Sequence, residues 1–351
     1  MRLEERAVGE AAGTILIHNV ADEAGTRVLK KGIRLADVHL AELAAMGRTR
    51  VEVAVLEDGD VHEDEAAQAL AEALRTDGMH LSRPTGGRVN LRAAIDGLLE
   101  VDAGRLLAVN LVPGIALATR RHRTVVGPGQ DTDNLATLKI LPYAVPRADL
   151  ERALALAAPR PGILALRPFR PQRAALLLVG DAMVRPRLRQ DYEGPTRARL
   201  ERLGTELGPV EGVDQEEGAI AAAVANLAAD IALLVIAGQT SVMDEEDTTL
   251  RGLRRAGAET TVAGAPVEPG NLMALAYLPR PGGRARAAQS EGSRPGTPVL
   301  CAPGCAKGMK RNVVDLILPR LVLGDRLERE DIAALGLGGF LTAAERGGDT
   351  T

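Results

Sequence analysis

Aromatic residues are nearly absent from this sequence of 351 residues, which contains no tryptophan, three tyrosines and two phenylalanines. Single-stranded nucleic acids bind largely by stacking their bases on aromatic side chains, and this chain has almost none to offer. The formal net charge of -4 also provides no overall attraction for a phosphate backbone. We therefore expect no nucleic-acid partner.

Cysteine is scarce as well, since the chain contains only Cys301 and Cys305. Two cysteines cannot form a disulfide framework, and without neighbouring histidines they fall short of the four ligands of a structural zinc site. No segment has a long uninterrupted apolar run, and the first residues carry charges of both signs where a signal peptide needs an apolar core. These absences predict a cytoplasmic protein that does not associate with membranes.

The remaining composition is that of a globular protein, with 46% hydrophobic and 26% charged residues. A chain of this length is expected to form two or three domains. We predict an α+β unit at residues 1–75, a second α+β unit at 76–171, an α/β domain at 172–325 and a tail at 326–351. The boundary near residue 172 rests on the helix-breaking residues Pro159, Pro161, Pro168 and Pro171.

Within the two α+β units, short β-like runs at 14–17 and 51–55 bracket a predicted helix at 35–46, and a helix follows at 63–74. Further along, the pattern predicts a helix at 90–99 and strands at 106–111 and 137–141. Lys139 lies inside the last of these runs, where an ammonium must be paired, face a cleft or lie on an edge strand.

From residue 173 onward, apolar runs alternate with helices. Runs at 175–179, 210–213, 231–236, 260–263 and 298–302 read as strands, and the longer intervals between them read as helices. This pattern predicts an α/β fold with a doubly wound, mostly parallel sheet covered on both faces. Residues 279–297, rich in glycine, arginine, proline and serine, are predicted to form a mobile surface loop.

Three of the predicted strands end in glycine-containing turns: Val179-Gly180-Asp181, Ala237-Gly238-Gln239-Thr240-Ser241 and Ala302-Pro303-Gly304-Cys305. Any one of them alone is an ordinary turn. Together, at the edge where parallel sheets bind ligands, they predict a crevice for a phosphorylated small molecule, because glycine lets backbone N–H groups approach phosphate.

Two features of these loops have alternative interpretations. The run Asp244-Glu245-Glu246-Asp247 either binds a metal through oxygen ligands or places negative charge at a helix N-terminus. Cys305 either acts as a thiolate near a metal or dithiolene or serves only for packing.

The order of these motifs, with Asp191-Tyr192-Glu193-Gly194-Pro195 between the first two, resembles the molybdopterin-binding domain of molybdopterin adenylyltransferases and molybdenum-inserting transferases, including gephyrin. The segments Pro269-Gly270-Asn271-Leu272 and Pro303-Gly304-Cys305-Ala306 are similar to those of a less studied branch. The resemblance covers residues 172–325 and extends upstream, through 60–66 and 137–140, to nearly the whole chain.

The resemblance implies a molybdotransferase-like enzyme that binds molybdopterin or its nucleotide form and assists molybdate insertion with Mg²⁺. It implies homo-oligomers, in particular a homodimer, and an apo-molybdoenzyme or a cytidylyltransferase as protein partner. The implied catalytic residues are Asp181, Asp244 and Asp247, the last two also as metal ligands. The implied pterin-binding residues are Gly180, Asp191, Asp214, Gly238, Thr240, Ser241, Pro303, Gly304, Cys305 and, on an upstream glycine loop, Arg88.

This sequence departs from the insertase pattern at three places. Ala182 replaces an acidic residue, Ala237-Gly238 replaces a glycine pair, and Cys305 replaces an asparagine. The alternative function is therefore a non-catalytic molybdopterin carrier, sensor or chaperone for a molybdoenzyme. Whether the nucleotide is adenine- or cytosine-based stays open.

Overall fold

The computed structural model describes residues 1–129, 133–228, 230–279, 296–343 and 345. The chain forms two compact units, Met1–Arg167 and Pro168–Thr351. The division falls a few residues before the predicted boundary at 172. The first unit extends to this point because Leu164 and Leu166 are buried in its core. Most of the loop predicted at 279–297, and the end of the predicted tail, fall outside the described residues.

The first unit combines short strands with four described helices. Its strands are β1 (Arg2–Ala7), β2 (Ile15–Leu16), β3 (Val20–Ala21), β4 (Arg27–Leu29), β5 (Arg50–Val55), β6 (Asp60–His62), β7 (Met79–Leu81), β8 (Arg88–Ala93), β9 (Gly97–Val101), β10 (Ile115–Thr119), β11 (Thr124–Val126), β12 (Asn134–Ile140), β13 (Ala144–Pro146) and β14 (Leu164–Pro168). Its helices are α1 (Asp37–Ala45), α2 (Glu63–Leu74), α3 (Ala103–Asn110) and α4 (Arg147–Ala157).

Two hydrophobic clusters divide this unit. The first extends from Val8 to Val53 and packs around the sheet of order β1-β5-β2. The second extends from Val61 to Leu166 and includes the sheet of order β10-β12-β8-β7. Helix α2 presents Ala67, Leu70 and Leu74 to this second cluster, so the core changes before residue 61 rather than at the predicted position 75.

The predicted helix at 90–99 is wrong, because β8 and β9 occupy this region. Val89, Leu91 and Ala93 are buried at every second position, which is the period of a strand. The predicted strand at 106–111 is also wrong, because α3 occupies this region. Its N-cap is Asp102, whose side chain accepts a hydrogen bond from the Arg105 N–H. The predicted strand at 137–141 is confirmed by β12.

Lys139 is paired with a buried carboxylate. Its Nζ lies 3.1 Å from Oε2 of Glu63, a residue that is only 3% exposed. The same ammonium donates to the carbonyl of Gly86. Gly87 closes over the pair at φ 70°, and a Cβ there would lie 2.7 Å from the Glu63 carboxylate. The ion pair therefore joins α2, β12 and the glycine turn within the first unit.

The second unit is built on one six-stranded sheet among the described residues. Its strands are β15 (Gln172–Val179), β16 (Thr205–Val213), β17 (Leu233–Gly238), β18 (Glu259–Ala263), β19 (Ala274–Leu278) and β20 (Thr297–Ala302). Its helices are α5 (Arg185–Glu201), α6 (Glu217–Leu227), α7 (Thr248–Arg255), α8 (Val313–Val322) and α9 (Arg329–Ala333).

The strand order is β16-β15-β17-β20-β19-β18. The first four strands are parallel, whereas β19 runs antiparallel to both of its neighbours. The mostly parallel α/β sheet predicted from the sequence is thus present, although the sequence pattern did not predict β19. Residues of both faces of β15 are buried, including Leu176 and Leu177, so both faces of the sheet are covered.

The direction of the chain reverses within this sheet. It passes from β15 outward to β16 through α5, and then back across β15 to β17 through α6. Right-handed crossovers in opposite directions place α5 and α6 on opposite faces. The carboxyl ends of β15 and β17 therefore form a topological switch point, the place where open α/β sheets bind ligands.

The predicted tail is in part an ordered portion of the second unit. Leu327, Ile332 and Leu341 are buried, and Phe340 forms a β-bridge with Glu268. Within the described part of the chain, no helix is both long enough and apolar enough to cross a bilayer.

We predict that Lys139→Met destabilises the region around α2, because it leaves the Glu63 carboxylate buried without its partner. The expected loss in free energy of opening is about 2 kcal/mol, reduced from the value for a fully buried pair because the Lys139 side chain is 35% exposed. Hydrogen exchange of the α2 amides measures it. The exposed Lys30→Met is the control, and equal protection in wild type and Lys139→Met would contradict the prediction.

Candidate functional site

The loops at the switch point are joined by Gln239. Its backbone N–H donates to the Val179 carbonyl over 2.9 Å, and its side-chain oxygen accepts from the Asp181 N–H at 3.3 Å. At Gly180, a Cβ would lie 3.2 Å from the Gln239 side chain, so a larger residue would crowd this junction. The loops after β15 and β17 thus meet at two of the predicted site residues, Gly180 and Asp181.

The turn after β17 depends on Gly238. A Cβ at this position would lie 2.7 Å from the Thr240 carbonyl oxygen, closer than any real side chain allows. The Thr240 hydroxyl accepts from the amide of Gln215, which follows β16, at 3.3 Å. Asp214 lies next to Gln215 and its carboxylate is 3.4 Å from Arg185 at the start of α5. The ends of β15, β16 and β17 are therefore linked through polar side chains.

Asp244 and Asp247 both shape the loop before α7. The Asp244 carboxylate accepts from the Glu246 N–H, and the Asp247 carboxylate accepts from the Thr249 N–H, both at 2.8 Å. Asp247 is the N-cap of α7, which matches the helix-start interpretation of this acidic run. Each contact uses one carboxylate oxygen.

These carboxylates fit one kind of metal site only. Among the described residues, no group of three or more His, Cys, Asp or Glu side chains could hold an ion. Mg²⁺ is commonly held by one or two carboxylates together with substrate phosphates. The donors present at Asp244 and Asp247 fit that shared mode, and they do not form an all-protein cage.

A buried arginine organises the loop after β20. This loop contains Pro303 and a short 3₁₀ helix, Gly304–Lys307. Arg199 of α5 is 6% exposed and donates to the carbonyls of Ala306 at 3.0 Å and Gly308 at 2.7 Å. Its Nε also donates to the Asp315 carboxylate at 2.8 Å. One guanidinium thereby satisfies backbone groups that would otherwise lack partners inside the fold.

Asn312 completes this arrangement. It is fully buried, and its side-chain oxygen accepts from the Val314 N–H at the start of α8. Its amide donates to the Lys310 carbonyl at 3.0 Å, and its backbone N–H donates to Asp315. The loop that carries the predicted residues Pro303, Gly304 and Cys305 is therefore held from both ends.

Asp191 meets this loop from α5. Its carboxylate lies 3.0 Å from Nε of Arg187 and 3.7 Å from Nζ of Lys307. The Lys307 ammonium also lies 5.4 Å from the centroid of the buried Tyr192 ring. Burial, with the nearby Cys305 and Asp191, raises the pKa of Tyr192 to about 12, so its hydroxyl stays protonated at neutral pH.

Both cysteines lie in environments that raise their thiol pKa values. Burial raises the pKa of Cys301 to about 12, and the nearby Asp247 carboxylate acts in the same direction. Cys305 is half-buried, and burial raises its pKa as well. Both environments disfavour the thiolate, which supports the packing interpretation of Cys305 over the nucleophilic one.

Three exposed methionines lie on three loops at this edge. Met183 follows β15, Met243 follows β17 and Met309 follows β20, with exposures of 91%, 70% and 45%. Met243 adjoins the predicted site residue Asp244 in sequence. Ser241 reaches toward the last loop, because a Cβ on Gly304 would be 3.7 Å from its hydroxyl.

Arg88, the predicted site residue of the first unit, begins β8 directly after the Gly86-Gly87 turn. It is exposed, and its Nε donates to the Asn90 side chain at 3.3 Å. The remaining predicted residues all belong to the second unit, on or beside the loops at the carboxyl edge of its sheet.

Sequence reasoning did not single out Arg199, Gln239 or Lys307. Arg199 is one of many arginines, and nothing in its helical surroundings distinguishes it. Lys307 offered a weak signal, because lysine is rare in this chain and this one follows the Pro303-Gly304 motif by three residues.

No protein-family profile matches the sequence, and no curated protein matches it. Among solved structures, the chain is similar to the protein CinA, of unknown function, from Thermoplasma acidophilum. The two share 13% identity at a TM-score of 0.32, over 43% of this chain and 98% of that one.

The chain is also similar to a molybdenum cofactor biosynthesis protein from Pyrococcus furiosus, with 12% identity and a TM-score of 0.24. That match covers 95% of this chain and 65% of the other. The molybdopterin biosynthesis MoeA protein from Pyrococcus horikoshii OT3 shows 10% identity and a TM-score of 0.26, over 95% and 75% of the two chains. At TM-scores below 0.5, these similarities do not identify the family of this chain.

We predict that Arg199→Met loosens the loop after β20, because it leaves the Asp315 carboxylate and several carbonyls without their donor. The free energy of opening of this loop and of α8 should fall by about 3 kcal/mol, as for breaking a buried ion pair. Hydrogen exchange of residues 304–318 measures it. Arg189→Met on the same helix is the control, because Arg189 makes an exposed pair with Glu193 worth less than about 1 kcal/mol.

The raised thiol pKa values predict slow alkylation. With iodoacetamide at pH 8, Cys305 should react more slowly than free glutathione, because its raised pKa leaves less of it as thiolate. Cys301 should react only after unfolding, since it is both buried and protonated. Mass spectrometry of the labelled peptides measures both rates. Labelling of Cys305 in the native protein as fast as glutathione would refute this assignment.

Proposed function

We propose that this protein binds molybdopterin or its nucleotide form at the carboxyl edge of the second unit and assists molybdate insertion. The observation that carries the proposal is the convergence of three glycine loops, after β15, β17 and β20, on one switch point. The order and residues of these loops resemble the molybdopterin-binding domain, and their geometry suits a phosphorylated ligand.

The ligand's chemical groups have matching partners at this edge. Gly304 is exposed and leaves its backbone open to a ligand, whereas Gly180 and Gly238 allow the close turns after β15 and β17. Methionine sulfur makes favourable contacts with aromatic rings, so Met183 and Met243 offer soft surfaces for a pterin. Almost no aromatic side chain is available for stacking in this chain.

The acidic residues supply the charge that an insertase needs. Asp244 and Asp247 would hold Mg²⁺ together with the ligand's phosphates. Asp181, on the neighbouring loop, adds a further negative charge at this edge. A bound Mg²⁺ neutralises phosphate charge during transfer or cleavage of a nucleotidyl group. The caps at Asp244 and Asp247 fix the orientation of both carboxylates before any ligand binds.

A second candidate function is that of a molybdopterin carrier without catalysis. Two observations favour it: Ala182 stands where the insertase pattern has an acidic residue, and no group of three candidate metal ligands is present among the described residues. In both functions the bound pterin and the loops that hold it are the same. We expect a homodimer and a molybdoenzyme as recipient in either case.

The double substitution Asp244→Asn and Asp247→Asn tests the catalytic role. Asparagine keeps the oxygen that caps each turn and removes the charge. With molybdopterin-nucleotide, molybdate and Mg²⁺, we expect insertion to fall by about 100-fold or more, because metal-assisted charge stabilisation is lost. The affinity for molybdopterin without nucleotide, measured by titration calorimetry, should change little.

Asp230→Asn is the matched control, since this exposed aspartate precedes β17 at the opposite edge of the sheet. Unchanged insertion in the double variant would show that the site is wrongly assigned. Binding by the wild type without any insertion would replace the insertase by the carrier. Absence of binding to either form of the pterin would overturn the proposal.

A further inference from the structure

A positively charged group interrupts the acidic carboxyl edge of the second unit. Arg187 and Lys307 both contact the Asp191 carboxylate, at 3.0 and 3.7 Å. Two cations thus share one anion, and the group is net positive. Asp181 lies on the loop after β15, and Asp244 and Asp247 lie on the loop after β17. The run 244–247 is entirely acidic, so this part of the edge carries no surplus of positive charge.

The Lys307 backbone is held in place before any ligand arrives. The carbonyls on either side of it, from Ala306 and Gly308, both accept hydrogen bonds from the buried Arg199 guanidinium. Lys307 ends the short helix that begins directly after Pro303. Its position therefore follows from the buried network, and little backbone entropy remains to be lost on binding.

The Lys307 side chain is restrained but still accessible. Its ammonium lies over the Tyr192 ring and beside Asp191, which limits its rotamers. The side chain is 43% exposed, whereas that of Asp191 is 19% exposed. An ammonium has three donors, so Lys307 can keep its contact with Asp191 and also donate to a ligand from the solvent side.

We propose that Lys307 binds the phosphate of molybdopterin, which is terminal in the free pterin and becomes part of a diphosphate in the nucleotide form. The proposal rests on the function proposed above and adds to it the residue that selects a phosphorylated ligand. A phosphate dianion matches a compact, exposed ammonium in a net positive group, and the bond is charge-assisted.

The test compares Lys307→Ala with Lys310→Ala in the full-length protein. Both variants remove one positive charge from the same loop, but Lys310 contributes its backbone carbonyl to the Arg199 network while its side chain is exposed. In titration calorimetry with molybdopterin, we expect Lys307→Ala to weaken the affinity at least about tenfold. Lys307→Arg should restore part of the affinity. Lys310→Ala should keep the affinity within about twofold of the wild type. Wild-type affinity in Lys307→Ala, or equal losses in both alanine variants, would overturn the proposal and leave the proposed function intact.

A second measurement uses pyrophosphate as the probe and does not depend on the pterin. In the wild type, backbone amide NMR shifts at residues 304–307 should move on titration, and the same shifts should be lost in Lys307→Ala. Failure of the wild type to bind molybdopterin would refute the proposed function, and this titration would then decide the role of Lys307 by itself. If the wild type shows no shifts, or if the shifts persist in Lys307→Ala, the proposed role of Lys307 is overturned.

Discussion

The arrangement of the candidate site depends on the reversal of chain direction at β15. Right-handed crossovers force the connections to β16 and β17 onto opposite faces of the sheet, which is the arrangement at which open α/β sheets bind ligands. The close approaches at Gly180 and Gly238 follow from this constraint, because the loops must turn sharply immediately after their strands. Gln239 joins the two loops through its backbone N–H and its side-chain oxygen.

The third loop of the site is held by a different interaction. Its backbone forms no regular sheet or long helix, so its carbonyls need partners from elsewhere in the fold. Arg199 supplies them from within the second unit and is itself neutralised by Asp315. A rigid loop presents Lys307 and Gly304 in one geometry, whereas a mobile loop would lose binding energy to ordering.

Under the proposed function, these two constraints separate binding from catalysis at this edge. The proposed contacts through glycine backbone and Lys307 do not require the acidic residue that Ala182 replaces, nor the asparagine that Cys305 replaces. The Cys305 side chain is a half-buried, protonated thiol, and its carbonyl lies near the amide of Asn312. Under the proposed function, the departures at Ala182 and Cys305 lie outside the proposed phosphate contact at Lys307.

The sequence alone determined the elements whose pattern is local: the parallel strands β15, β17 and β20, the glycine turns after them and the acidic start of α7. Continuous apolar runs and turn residues carry that information without reference to the rest of the chain. Local pattern failed at 90–99 and 106–111, where short runs with mixed periodicity form strands and a helix only through their partners in the core. Tertiary structure also decided the pairing of Lys139 with Glu63, the burial of Arg199 and the contact between Asp191 and Lys307. Each of these contacts joins residues about 75 to 120 positions apart in the sequence. Such contacts are set by the packing of the whole unit, and they leave no periodic pattern along the chain from which they could be predicted.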